Sequence, residues 1–444
     1  MGRQLHLNAN VIPSGRHGAA WRWQSNPCSV TDISGFLEIA RIAERGTFDA
    51  VFFADHSALD ASARDRPWQA LDPALVLTAM AAVTERTGLV ATASTTFEHP
   101  FHVARRFASL DHISRGRAAW NIVTTQHNGA APNFGLPELP PHADRYQRAE
   151  ELVEVVVKLW DSWDDDALVA DAATGVYADL ERVHPIDHEG YSFSVRGPLN
   201  VPRSPQGRPV LVQAGASGAS QRLGSRWADA LFTVQRTFRE AQDFYANVKG
   251  LAGGFGRDPD GLVVLPGLYP VIGSTEAEAR ARKSEMDALL DFDEERVKLA
   301  ERFGIDPDRL HLDLPFQSDI LDHVGKHVSR GFVENIVREA DRESLTIRQV
   351  LERNPHGGHR IIVGAPEQIA DDMEAWFRGR AADGFNLNMD AYPSGLELFV
   401  DHVVPELRRR GLFRQEYNGT TLRDHLGLPG PGRLSATRPL TNVA

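Results

Sequence analysis

Hydroxyl, amide and imidazole side chains gather where short apolar runs of this 444-residue chain come to an end. His17 follows the run at 5–12, Asp55 and His56 follow 50–54, and Ser94, Thr95 and Thr96 follow 88–93. Asn121, Thr124 and Thr125 belong to the end of 118–123, and Gly215, Ala216 and Ser217 follow 209–213. The set is rich in neutral hydrogen-bonding groups. It holds no carboxylate pair for hydrolysis, no Ser/His/Asp order and no convincing metal cluster. Such groups suit a planar heterocycle carrying a phosphate, with amides and hydroxyls on the ring edge and a helix N-terminus on the anion. The segment AGASGAS at 214–220 fits the phosphate end, because small residues let backbone N–H groups approach it. The same residues would also serve tight strand-to-helix packing. His142 and Tyr146 stand four apart, on one face of a helix start. That too has a plainer reading, a helix entry with a half-buried tyrosine.

These groups need a frame. Asp32 is placed to cap a helix with Phe36, Ile39, Ala40 and Ala43 on one face, and Asp72–Pro73 opens the next. Pro100 starts a third, and Leu152, Val155, Val156 and Leu159 mark an amphipathic helix. Further apolar runs lie at 228–232, at 262–266 or 269–272, and at 385–389, before a closing helix at 396–407. Eight alternations of apolar run and helix point to an α/β protein, a (β/α)8 TIM barrel, with reactive groups on the loops after the strands. Insertions are expected after strands 4 and 7. Residues 161–207 break into acidic, Pro- and Gly-marked pieces, and 275–360 form a charged, helix-rich insertion expected to make a lid or wall. The whole of 1–444 reads as one elaborated domain with a C-terminal extension at 412–444. Its pocket walls are expected from the rim loop at 13–23, from Phe53 and from the insertion. Aromatic residues there favour an apolar or aromatic substrate over a tricarboxylate.

Apolar residues make up 42% and charged residues 24%, as in a soluble globular protein. The net charge of −12 disfavours nucleic acid and anionic membranes as partners, and no apolar run is long enough for a membrane span. Cys28 is the single cysteine and reads as a small buried residue rather than a nucleophile. A cytoplasmic enzyme is the expectation. No P-loop or GxGxxG fingerprint is present, which argues against a tightly held dinucleotide. His311, His356 and His359 lie in the inserted region, where they either line a lid or sit on the surface without a role. The run at 408–410, Arg-Arg-Arg, reads as a solvated helix end.

The stretch GRAAWNIVTTQHNGAAPNFG followed by HADRYQRAEELVEVVVKLWDSW resembles the luciferase-like flavin-dependent monooxygenases grouped around nitrilotriacetate monooxygenase component A, dibenzothiophene-sulfone monooxygenase and pristinamycin IIA synthase. FFADH, HPIDHEGYSFSVRGPLN, PRSPQGRPVLVQAGAS, VGAPEQIADDMEAWF and VVPELRRRGLFRQEYNGTTLRDHLGL extend that resemblance over nearly the whole chain. It implies the barrel fold and FMN, used as FMNH2 from a separate NAD(P)H:flavin reductase, with O2 as co-substrate. A small-molecule substrate and a homo-oligomer, dimer or tetramer, go with it. It assigns FMN contacts to Asp55, Thr95, His142, Tyr146 and Ser217, with Thr124, Thr125 and Ala216 beside them. His17, in GRHGAAWR, resembles a family histidine in a slightly different spacing and is the expected catalytic proton donor. Two alternatives stay open, a deazaflavin-dependent oxidoreductase of the same fold and a flavin-binding protein without turnover.

Overall fold

The structure is a computed structural model that describes residues 3–25, 29–59, 61–215, 217–317, 319–325, 330–353 and 358–433. Cys28, Ala216 and His356 lie outside the described residues. Eight parallel strands close a barrel: β1 (His6–Asn10), β2 (Ala50–Phe53), β3 (Gly88–Ser94), β4 (Ala118–Val123), β5 (Val210–Ala214), β6 (Ala230–Thr233), β7 (Val263–Ile272) and β8 (Gly384–Leu387). Each pairs with the next, and β8 returns to β1 over His6↔Gly384 to Ala9↔Leu387. The strands read as near-continuous apolar runs because both faces are covered. Ala50, Phe52, Val90, Val212, Phe232 and Leu265 point into the barrel. Val51, Phe53, Leu89 and Ala91 point outward, in one core with Phe36, Ile39 and Phe107 of the surrounding helices.

The helices begin where their caps stand. Asp32 accepts from the Ser34 N–H (2.9 Å) at the start of helix Ile33–Arg45, and Asp72 accepts from Ala74 N–H (2.8 Å) at the start of Pro73–Ala81. The closing helix runs through Ser394–Leu398 and Val404–Arg409 with one wider turn, Phe399–Val403, between them. Pro405 has no N–H to donate into that turn, which accounts for the widening.

The seventh apolar run is one strand, not a choice between two. Pro266 and Gly267 interrupt its pattern, yet Pro266 is the last residue of β7 that pairs with β6, where a missing N–H costs little. The second half of β7 runs on past β6 and pairs with a strand absent from the sequence reading, Arg360–Gly364, in the register Leu268↔Arg360 to Ile272↔Gly364. The segment after β7 has helices Glu276–Asp287, Phe292–Phe303, Arg330–Glu343 and Ile347–Arg353, and a small core of its own around Leu299, Phe303, Phe316 and Ile336. The segment after β4 folds into two short hairpins, Leu168–Asp171 with Val176–Ala178 and His188–Glu189 with Ser194–Val195.

The C-terminal extension closes the N-terminal end of the barrel. Leu422, Leu426 and Leu428 enter the same interior cluster as Phe52 and Val90, and Leu422 sits where a side chain on Gly88 would fall. Asp49, fully buried just before β2, accepts from the Leu7 N–H (2.7 Å), faces His6 Nδ1 at 3.0 Å and pairs with Arg414 of the extension. Burial pushes that carboxyl up, but Arg414 and His6 outweigh it and hold Asp49 down at about 2. Arg423 pairs with Asp229 at the same end (3.1 Å). Among the described residues no helix is long and apolar enough to cross a membrane.

Candidate active site

The carboxyl ends of the strands open into a cavity of about 1560 Å³. Asn10, Phe52, Thr92, Asn121, Phe232 and Asn386 form its floor. Asp55, Ser94, Thr124, Thr125 and Gly215 stand on its walls, and helix Phe292–Phe303 crosses above it with Ile336 and Leu351. A pocket for one small ligand spans roughly 300–1,000 Å³, so this space admits two molecules side by side.

The amides of Asn10 and Asn121 each donate one hydrogen bond within the floor. Asn10 Nδ2 donates to Asn388 Oδ1 (2.8 Å), and Asn121 Nδ2 donates to Thr92 Oγ1 (2.9 Å), which itself donates to the Phe53 carbonyl (2.8 Å). Asn10 Oδ1, Asn121 Oδ1 and Asn386 Oδ1 remain buried with no partner in the protein. Buried acceptors left this way cost about 1–3 kcal/mol each, which a ligand bringing N–H donors would relieve.

The sequence-derived residues fall in two groups. Asp55 and Thr124 lie on the cavity wall, with Thr125 beside Ser94, their hydroxyls 2.6 Å apart. Burial first, and then the charge of Asp72, raise the Asp55 carboxyl above its ordinary range. Thr95, His142, Tyr146 and Ser217 do not line the cavity: they lie after β3, at the start of helix His142–Trp160 and after β5. Thr95 is fully buried, and its hydroxyl and N–H both donate to the Val123 carbonyl (3.0 and 2.9 Å), tying the end of β3 to β4. Helix His142–Trp160 docks on that junction through Arg148, which donates to the Thr95 and Thr96 carbonyls (3.1 and 3.2 Å). His142 and Tyr146 at its start have ring centroids 4.7 Å apart. Ser217 caps helix Gly218–Trp227 by accepting from Ser220 N–H (3.3 Å). Glu150 binds that helix to the previous one, accepting from Trp227 Nε1 (2.8 Å) and pairing with Arg226 (2.6 Å). Gly215 has φ +151°, and a Cβ there would lie 2.2 Å from Ser220 Oγ, so only glycine permits this turn.

Two expectations change. His17 does not reach the cavity. Its Nδ1 accepts from Ala19 N–H (3.1 Å), which leaves the proton on Nε2 facing Asp287 Oδ1 at 3.0 Å, and Asp287 is further held by Lys283 (2.6 Å). Its neighbour Arg16 lines the cavity instead. Phe53 packs outward against Phe36 (centroids 5.7 Å apart), while Phe52 faces the pocket, a consequence of the two-residue period of a strand.

His359, given as either a lid or an idle surface residue, lines the cavity and has an inaccessible Nδ1 without a partner. No local sequence signal marks it, because the meeting of His359 with Gly267 depends on strand register.

The site suits FMN. The amide residues Asn10, Asn121 and Asn386 on the floor match a ring edge, and Ser217, at the N-terminus of helix Gly218–Trp227, matches the phosphate.

The profile of the luciferase-like monooxygenases matches residues 13–384. The chain is 44% identical to nitrilotriacetate monooxygenase component A of Aminobacter aminovorans, over 97% of each chain. It is 42% identical to N-acetyl-S-(2-succino)cysteine monooxygenase of Bacillus subtilis, over 97% of this chain and 98% of that one. Among solved structures, a riboflavin lyase with modified FMN and riboflavin superposes with a TM-score of 0.85 at 32% identity, covering 96% of this chain and 97% of that one. A barrel closed strand by strand, a polar mouth and likeness over almost the full length agree: this chain is an enzyme of the luciferase-like monooxygenase family.

Proposed function

We propose that this enzyme is the oxygenating component of a two-component system, taking FMNH2 from a separate NAD(P)H:flavin reductase and using O2 to oxygenate a small organic substrate. One observation carries the reading: a mouth large enough for two molecules, floored by the amide residues Asn10, Asn121 and Asn386. Bound reduced FMN supplies the activation of O2. The chain's own residues hold and shield it. Asn10, Asn121 and Asn386 underlie the ring edge, Asp55 and Thr124 flank the ring, and Ser217 at the N-terminus of helix Gly218–Trp227 meets the phosphate. His142 and Tyr146 border that end, with Thr95 fixing the rim on which they rest. Ala216 lies between Gly215 and Ser217 in the sequence.

Helix Phe292–Phe303 keeps water out from above. It is latched to the loop after β2 by Arg66 with Glu295 (2.9 Å), Arg64 with Glu294 (3.5 Å) and Lys298 with Asp65. In this reading His17, bound on both nitrogens, holds helix Glu276–Asp287 to the rim loop. His17→Ala then raises hydrogen peroxide leakage while leaving the pH profile of coupled turnover in place. A fall of about 10²-fold in coupled turnover with a displaced pH profile would mark it as the proton donor.

The test combines purified protein, FMN, a generic NADH:flavin reductase, O2 and a substrate panel. Product that depends on both reductase and O2 is expected. No retention of FMN in either redox state, or turnover with a reduced deazaflavin and no oxygen uptake, would overturn the proposal.

A further inference from the structure

We propose that Lys283 is a positioning residue: with Asp287 and His17 it seats helix Ile347–Arg353 over the cavity and so sets how well a bound flavin is shielded from water. This deepens the flavin monooxygenase reading and rests on it.

The roof needs a seat because packing does not supply one. Ile336, and Val350 and Leu351 of helix Ile347–Arg353, line the cavity and belong to the insertion's own core with Leu299 and Phe303. Among the described residues, that core and the one between the barrel strands and their surrounding helices have no member in common. Polar ties therefore hold the roof to the barrel. The latch to the loop after β2 grips helix Phe292–Phe303, and Lys283 makes the tie to a different helix. Its Nζ donates to the Glu352 carbonyl (2.9 Å), in the last turn of Ile347–Arg353, and to Asp287 Oδ2 (2.6 Å). Carbonyls in a last helical turn have no N–H partner within their helix, so the ammonium answers an acceptor that helix geometry leaves open.

Asp287 carries the tie on to the rim. Its Oδ1 faces His17 Nε2 at 3.0 Å, and the His17 side chain is wholly buried, with its backbone N–H on the Asp390 carbonyl (3.1 Å). Helix Glu276–Asp287 is also fixed by a second route. Arg282 donates twice to the Asp390 carboxylate (2.5 and 3.1 Å), and its guanidinium lies 4.5 Å from the centre of the Trp23 ring. A tie to this helix is therefore a tie to a fixed platform, not to another part of the roof.

Local helix energetics do not explain the pair. Asp287 is the last residue of its helix, where the macrodipole disfavours a carboxylate, and lysine four residues ahead of an acid is the weaker order for a helical pair. The Lys283 and Asp287 side chains are only 17% and 18% exposed, where a charge-assisted hydrogen bond is stronger than in water. Burial pushes the Asp287 carboxyl up, but the hydrogen bonds from His17 and Lys283 outweigh it and hold it below its ordinary range, so it is charged at neutral pH.

The test uses the full chain. Lys283→Met keeps the aliphatic stem and removes the ammonium, and Lys283→Arg restores a cation. Arg280→Ala, on the same helix but in a surface pair with Glu276, is the control. Three quantities are read: hydrogen exchange of residues 347–353 in FMN-free protein, iodide quenching of bound-FMN fluorescence, and hydrogen peroxide formed per NADH with a generic flavin reductase. Lys283→Met should speed exchange at 347–353 about tenfold, the worth of one hydrogen bond to a charged group, and raise iodide quenching and peroxide yield about threefold. FMN affinity, set by the floor and the phosphate end, should stay close to that of wild type. Lys283→Arg should recover most of each loss, and Arg280→Ala should change none of the three. Joining His17→Ala to Lys283→Met should add little, because both cut one chain of contacts. The proposal is overturned if exchange at 347–353 is unchanged in Lys283→Met, if Arg280→Ala matches that variant, or if iodide quenching does not rise when the helix loosens. No retention of FMN by wild type would sink the flavin reading and the shielding with it, leaving exchange to report the seat alone. Unchanged exchange with FMN retained would sink the seat and leave the flavin reading standing.

Discussion

The two ends of the barrel solve opposite problems with similar residues. At the N-terminal end every buried charge named above has a partner: Asp49 has Arg414, His6 and the Leu7 N–H, and Arg423 has Asp229, over a plug of Leu422, Leu426 and Leu428. At the C-terminal end the amide oxygens of Asn10, Asn121 and Asn386 and the Nδ1 atoms of His127 and His359, all on cavity-lining residues, are buried without partners. The paired charges hold the fold together, and the unpartnered atoms of the plug, Arg423 Nε and both His425 ring nitrogens, are the exceptions. Unsatisfied groups destabilise the empty protein and are relieved when a ligand binds, which is why the open end carries the site.

Breaking the closed end should have the largest effect. Asp49→Asn strips Arg414 of its countercharge in a dry site and is expected to cost about 3–5 kcal/mol, measured by urea unfolding, with FMN affinity unchanged. The sign with pH follows from the lowered carboxyl. Its stabilisation is complete above the unfolded value of roughly 3.9 and is lost as pH falls from there toward 2, so wild type should lose stability across that window more steeply than the variant.

Leu422→Ala should remove about 2–5 kcal/mol by opening a void beside Gly88, again without touching flavin binding. If flavin binding fell with either variant, the two ends would not be independent. The open end should respond in reverse. Asn121→Leu is expected to leave unfolding unchanged or raise stability by about 1 kcal/mol while weakening FMN about tenfold in fluorescence titration. The smallest effect belongs to the latch. Lys298→Ala, at a half-exposed pair network, should change stability by only about 0.2–1 kcal/mol yet increase peroxide leakage, read as hydrogen peroxide formed per NADH.

Much of the barrel was legible because its signals are local. Apolar runs of strand length, Asp32 and Asp72 as caps, and prolines at first helical turns each declare an element without reference to distant residues. The β7 strand was blurred because Pro266 and Gly267 look like a turn, and only pairing on both sides shows that they are not. Asp55 and Thr124 reach the cavity wall from positions just after a strand. Arg16 and not its neighbour His17 lines the cavity, a difference the sequence does not show because a loop has no period from which to read the direction of a side chain.

The sequence by itself determined the alternation of strands and helices, the polar carboxyl ends and, through its extended likeness, the family. Tertiary structure alone decided that Arg16 rather than His17 faces the cavity, that the extension plugs one end, and that His359 fills the space above Gly267. The reason is physical: helix and strand preferences act between near neighbours in the chain, whereas a missing Cβ matters only to the side chain that comes to lie against it, and that meeting is settled by strand register across the closed barrel.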